Sequence, residues 1–540
     1  MKWSIRSKIA AMTFAATPFA MAVDTRADDS DKSVVTVAIA PFDTMVPNIQ
    51  HLARLGGGGM AAGTVKTALT QYTAGIDTSR PVGVFVELDD TGNPAPVAAL
   101  PLKDLEEFFG QLAIFGEPQD LGDGLYEMNV GNSLYMKNAG EWLLVGQTED
   151  AVLNFDIAAT KNLKTLVAKY DVLIDLHPQN IPEPLVEMLM GQFEAGMQQG
   201  MANMDEEQAE AALKNAEQVK AQIQEAIDST ESLKIGLAVN KADSKTTLDV
   251  GTRFVEGSKL ALNLAKMKGS KATLAGVPQD ASMMMFQSLQ LVAAEDIEQL
   301  ETSMEAAVSA AVDQIDNEVA AEKAENYLNK LAGLFLETAK KGQLETVADI
   351  TTTPNLSITA AFTVADGKQV EALAAEAASD LEAVGEQVSL KVNTGKHAGA
   401  NLHQLSIALP PDADEKAVAI FGEKVTATLA TTPNAVYVAV GKDCEKAIKQ
   451  VVDRAVAKPS APGEALKMRF SLGQLLTFMK AIETNPGIDA AVEVTSAGKD
   501  QIMIDSKNGD RETVVRVTLE DNVIKAISAA GTAARGGGGF

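Results

Sequence analysis

The stretch Pro81–Leu153 constrains the fold more than any other part of the chain. It opens with PVGVFVELDDTGNPAPVAALPLKDLEEFFGQL, which reads as strand, turn, strand and short helix. Two runs of alternating and β-branched residues flank Asp89-Asp90-Thr91-Gly92-Asn93, a turn-forming cluster. The later piece, GLYEMNVGNSLYMKNAGEWLLVGQTEDAVL, reads as a three-stranded meander that closes on a glycine and enters a new helix. Short connections between such runs favour antiparallel pairing. The same order returns at Asn355–Lys446, where NLSITAAFTVADGKQVEALAAEA precedes KVTATLATTPNAVYVAVGKDCEKAI.

The remaining chain repeats a simpler plan. Val34–Ala40 reads as a strand, Thr44–Leu55 has helical apolar spacing, and a second helix is expected at Thr64–Tyr72 after the Gly56–Gly59 break. With Val82–Leu88, Pro96–Leu100 and a helix at Leu102–Leu112, this makes a β-α-α-β-β-α unit. A second unit runs from Tyr170 to Met267, a third from Ser282 to Glu382 and a fourth from Leu466 to about Ala529. The second and third contain long helical pairs, at Pro184–Ser229 and Glu295–Lys340. Apolar, mostly small residues at Ala212, Ala216, Val219, Ile223 and Ala226 form a narrow stripe suited to an antiparallel helical hairpin. The expected fold is therefore α+β, with antiparallel sheets covered by helices, in two tandem pseudo-duplicated halves with long helical hairpins. The halves are placed at 33–269 and 281–530, joined by Val277–Asp280, with a glycine-rich tail at 531–540. At 540 residues the chain exceeds one hydrophobic core.

The pattern of Pro96–Leu112 with Gly124–Gly146 resembles uncharacterised exported bacterial proteins that carry such β-hairpin-helix and Trp/Tyr meander units. The resemblance implies an exported α+β protein and carries no activity with it.

Residues 1–27 read as a signal peptide and its cleavage region. Lys2, Arg6 and Lys8 precede the apolar Ile9–Ala16, and small residues close the segment at Ala22 and Ala27. That apolar run is too short to span a bilayer, and no later window is long and apolar enough. The expected location is the periplasm, cell envelope or extracellular space. The formal net charge of −27 opposes binding to nucleic acid or to anionic lipid surfaces. Cys444 is the only cysteine, so no internal disulfide can form and stability must come from packing.

Catalytic and cofactor patterns are sparse. His177 shares a strand face with Asp175, but no Gly-x-Ser-x-Gly elbow supplies a nucleophile. His403 has the parity of Leu405, Ile407 and Leu409, which suits a sheet residue better than a ligand. No HExxH, CxxC or EF-hand spacing occurs, and Asp412-Ala-Asp414-Glu415 lacks the glycine of a calcium loop. Gly56–Gly59 has Thr64 where a phosphate-loop lysine would stand. No cofactor or metal is expected. Met188, Met197, Met201 and Met204, after Pro184, read first as helix-core packing, with an adaptable apolar face for a ligand or a protein partner as the alternative. The expected function is a non-enzymatic exported protein that binds or serves as an envelope component. The alternatives are a carrier of an apolar ligand on a Met/Leu-lined surface and a hydrolase with a scattered active site. Homo-oligomers through the helical hairpins are a further expectation.

Overall fold

In the computed structural model, the alternating segments become strands and the 3.6-periodic segments become helices. The structure describes residues 32–536 except 59–62, 64–66, 68–72, 90–91, 130, 202–205, 268–272, 275–280, 290–293, 314–317, 343, 354, 383–387, 458–463 and 484. The expected helix at Thr64–Tyr72 and the linker Val277–Asp280 fall largely or wholly outside the described residues, as do the signal segment and residues 537–540; the first part of the expected tail, 531–536, instead continues the helix Asp521–Gly536.

In chain order the strands are β1 Val35–Ile39, β2 Val82–Leu88, β3 Pro94–Pro101, β4 Gln119–Gly122 and β5 Leu125–Asn129. Next come β6 Ser133–Asn138, β7 Trp142–Gly146, β8 Val172–Leu176, β9 Thr230–Asn240 and β10 Lys245–Phe254. Then follow β11 Met283–Leu289, β12 Leu344–Thr351, β13 Ser357–Thr363, β14 Val388–His397 and β15 Ala400–Ala408. The last are β16 Lys424–Thr431, β17 Ala435–Gly441, β18 Glu464–Ser471, β19 Gln501–Asn508 and β20 Glu512–Glu520.

All twenty belong to one antiparallel sheet, where several were expected. From edge to edge the order is β4-β5-β6-β7-β3-β2-β1-β8-β9-β10-β20-β19-β18-β11-β12-β13-β17-β16-β15-β14. Read inward from either edge, the strands follow the same order, and the two sets meet where β10 pairs with β20 from Lys245↔Glu520 to Arg253↔Glu512. No hairpin joins these two strands, so tertiary interactions alone hold the seam.

Both outer edges are blunted against further pairing. The strand β4 is four residues long and has a register shift between Asp120 and Gly122. The strand β14 shifts register between Lys391 and Gly395, with Asn393 at φ 58°. The meander thus has four strands, not the three expected, because all four residues of β4 are exposed and the segment lacks an apolar alternation. The helix expected from Leu102 starts at Leu105, because the Asp104 carboxylate accepts the Glu107 N–H at 3.0 Å and caps it.

Buried clusters join helices to the outer strands on both faces. On one face, Ile448, Val451 and Val452 of the helix Cys444–Ala457 pack with Phe286, Val347, Ala361 and Tyr437. At the other end of that face, Val152 and Leu163 pack with Ala38, Ala99, Leu144 and Leu173. On the opposite face, Phe108 packs with Met128, Met136 and Leu143, while Leu334 and Val370 pack with Val436 and Phe362. Glu345 is fully buried and accepts the N–H groups of Thr273 and Leu274 at 2.7 and 2.8 Å, which ties the segment entering the second set of strands to β12. Desolvation pushes its carboxyl above the ordinary range.

Candidate functional site

The strands at the centre of the sheet carry sharply amphipathic sequences. In β10, β20, β19 and β18, apolar residues alternate with charged ones, as in Leu248-Asp249-Val250 and Val515-Arg516-Val517. Such a strand normally buries its apolar face and wets its polar one. Here the burial is reversed: Leu248 is 40% exposed and Asp249 is 3% exposed.

Pairing register carries the apolar face across the seam. One row runs Ile39, Val172, Leu237, Leu248, then Val517, Ile504, Met468 and Met285, one residue from each successive strand. A parallel row contains Val37, Ile174, Ile235, Val250 and Val515 and ends at Ser506 and Leu466. Neither row contains a charged residue. Apart from exposed Leu248 and buried Ser506, their members are half-buried, and none belongs to a buried cluster. From β1 to β11 the first row crosses eight strands, about 34 Å at the usual strand spacing. Its ends approach the helix-packed clusters around Leu143 and Val436, so a covered apolar core opens into a partly uncovered apolar face.

The other face of the same strands is charged. Asp249, Arg516, Asp505 and Lys467 stand opposite one another on β10, β20, β19 and β18, alternating in sign. The row continues into apolar core on both sides, at Leu173 and at Phe286. Arg516 grips Asp249 with two parallel bonds, Nε to Oδ1 at 2.8 Å and Nη2 to Oδ2 at 2.6 Å. The Tyr170 hydroxyl donates to Asp249 Oδ2 at 2.9 Å. Burial, reinforced by the Asp249 charge, pushes the Tyr170 phenol well above its ordinary value, so it stays protonated. Hydrogen bonding to Asp249 raises Arg516, and desolvation raises Asp505 despite its cationic neighbours.

Tyr170 reaches Asp249 by lying over Gly236. A Cβ there would stand 2.5 Å from the Tyr170 ring. Gly236→Ala is therefore expected to displace the ring, break its bond to Asp249 and destabilise the fold by about 1–3 kcal/mol. Urea denaturation checks this, with Tyr170→Phe as the variant that loses the bond but keeps the ring.

An open cleft of about 840 Å³ lies at the ends of these strands, lined among others by Asn48, Lys169, Asp171, Lys241 and Arg516. Asp171 is fixed there by Asn48 Nδ2 at 2.6 Å and by the Val239 N–H at 2.7 Å.

The residues singled out by sequence are dispersed. Met188 is half exposed on the helix Glu183–Met201, while its neighbour Met190 is buried. Met204 and the side chains of Met197 and Met201 lie outside the described residues. The methionines brought to the apolar face are instead Met285 and Met468, directly opposite each other on β11 and β18. Alternation within each strand does not relate one to the other; only the pairing of β11 with β18 puts both on one face.

His177 Nε2 lies 3.5 Å from Asp175 Oδ1, and Lys234 Nζ lies 3.3 Å from the other oxygen of that carboxylate. His51 pairs with Asp521 at 3.1 Å across the seam, and His397 with Asp453 at 2.8 Å. His403 is more deeply buried than its strand parity suggested, at 1% exposure. Its Nδ1 accepts the Asn393 N–H at 3.2 Å, its Nε2 faces Thr431 Oγ1, and desolvation lowers its pKa. Cys444 is buried, with the Thr428 hydroxyl donating to its sulfur at 3.2 Å. Asp414 caps the helix Glu415–Phe421 through the Lys416 N–H at 2.7 Å.

Among the described residues, no helix is long and apolar enough to cross a membrane, and no group of three or more His, Cys, Asp or Glu is placed to hold a metal. No family model matches this chain, and no curated protein or solved structure matches it either.

Proposed function

We propose that the protein is an exported, non-enzymatic binding protein that holds acyl chains against the apolar face of its central strands. The observation that carries this is the reversed burial at the seam, with Leu248 exposed and Asp249 buried. In this reading the chain consists of two pseudo-duplicated halves whose sheets join edge to edge, with helices over the outer strands of each. The apolar face then lies where the helix-packed cores leave off, across the junction itself.

The chemistry of the face favours a methylene chain as occupant. Backbone hydrogen bonds are already used between strands, and the two rows carry no charge that a polar partner could meet. What remains is area burial, at about 25 cal/mol per Å². Met285 and Met468 add flexible thioethers that adapt to a chain of variable position.

The test uses an uncharged fluorescent probe, N-phenyl-1-naphthylamine, which avoids repulsion by an acidic protein. The wild type is expected to enhance its fluorescence saturably, and a long-chain fatty alcohol is expected to displace it. Leu248→Glu places a charge in the middle of the row and is expected to weaken probe binding at least tenfold while leaving the circular dichroism spectrum intact. Unchanged probe binding by Leu248→Glu would refute the assignment.

A further inference from the structure

A second site lies on the charged face, beside Tyr170. A largely enclosed cavity of about 160 Å³ is lined by Gly251 on β10, whose missing side chain leaves space, and by the Tyr170 ring, which covers Gly236 on β9. A Cβ at Gly251 would meet Val514 Cγ2 at 3.2 Å, so that wall would have to give by a few tenths of an ångström. Tyr170, Leu173 and Val514 give the cavity an apolar interior. A cavity of about 150 Å³ is large enough to hold a benzene ring.

The polar lining is dominated by donors. Lys234 and Arg253 both reach the cavity. Lys234 meets Asp175 at 3.3 Å and Arg253 Nε meets Glu231 at 2.9 Å, so further N–H groups on each cation are left over. Lys169 adds a third cation at the mouth. Of the two carboxylates in the lining, Asp249 is already bound by Arg516 and Tyr170, and Glu512 stands opposite Arg253 across the seam. The wall therefore offers spare donors around an apolar, ring-sized space, inside a protein whose net charge is −27.

We propose that this cavity binds a small aromatic monocarboxylate, with its ring over Gly251 beside Tyr170 and its carboxylate between Lys234 and Arg253. The site is independent of the apolar face, because it lies on the opposite side of the same strands.

Benzoate is the probe, titrated into the full chain by saturation-transfer NMR, with benzylamine as the control of equal size and opposite charge. Benzoate is expected to bind saturably and benzylamine at least tenfold more weakly. Lys234→Gln with Arg253→Gln is expected to cost benzoate about tenfold, the worth of one good charged hydrogen bond. Gly251→Val should abolish binding by filling the space, and the charge variants keep the test valid if Gly251→Val fails to fold. Three results would each overturn the proposal: no saturable benzoate binding to the wild type, equal binding of benzylamine, or charge variants that bind benzoate as the wild type does.

Discussion

Truncation of Leu143 to alanine is expected to destabilise the protein by about 2–5 kcal/mol, through lost transfer energy and the cavity left behind. Leu143 is fully buried on β7, opposite Leu100 of β3 and Asn138 of β6, and packs with Phe108, Met128 and Met136. The sheet on one side and the helix Leu105–Leu112 on the other fix these neighbours, so the site can relax little. The lone buried Cys444, changed to serine, should matter less, because no disulfide depends on it. Urea denaturation followed by tryptophan fluorescence reads the loss directly, as Trp142 begins the same strand. A shift in the midpoint no larger than that of Cys444→Ser would show that this core is misplaced.

The second large effect belongs to the seam, and its sign structure is more informative than its size. Arg516→Ala leaves the Asp249 side chain at 3% exposure with only Tyr170 to satisfy it. Breaking a buried pair by removing one partner typically costs about 3–5 kcal/mol. Asp249→Asn should cost less, because Arg516 is 40% exposed and its guanidinium can turn to water. Removing both charges, in Asp249→Asn with Arg516→Gln, should therefore be milder than Arg516→Ala alone. Additive losses would mean that the two residues act independently, against the bidentate geometry. Since β10 and β20 are held by no hairpin, the same variants should also loosen the seam, which hydrogen exchange of the Val250 and Val515 amides would report.

Much of this architecture is legible along the chain. The alternation in Val82–Leu88, the Asp89–Asn93 turn and the apolar periodicity of the helices all act over neighbouring residues, where the physics is local. The strand β4 escaped because four exposed residues carry no pattern. The order of the sheet escaped for a different reason. Asp249 and Arg516 are 267 residues apart, and nothing within either strand names the other as its partner.

The apolar face was hidden by a sound general rule. LDVGTRF and TVVRVTLE read as ordinary amphipathic strands, with apolar residues inside and charges in water. The pairing of β10 with β20 instead brings complementary charges together on one face, where Arg516 holds Asp249 and stands opposite Asp505, and leaves Leu248 and Val517 on the other. Sequence attention went to Met188, Met197, Met201 and Met204 on a helix. The structure adds Met285 and Met468, on strands whose alternation gave no reason to look at them together.

The most direct test of acyl-chain binding is native mass spectrometry of the protein, purified without detergent from its own source. The wild type is expected to carry discrete mass increments of acyl-chain size that collisional activation releases, and Leu248→Glu is expected to have lost them. Wild type and variant that both give only the bare-chain mass would contradict the central claim.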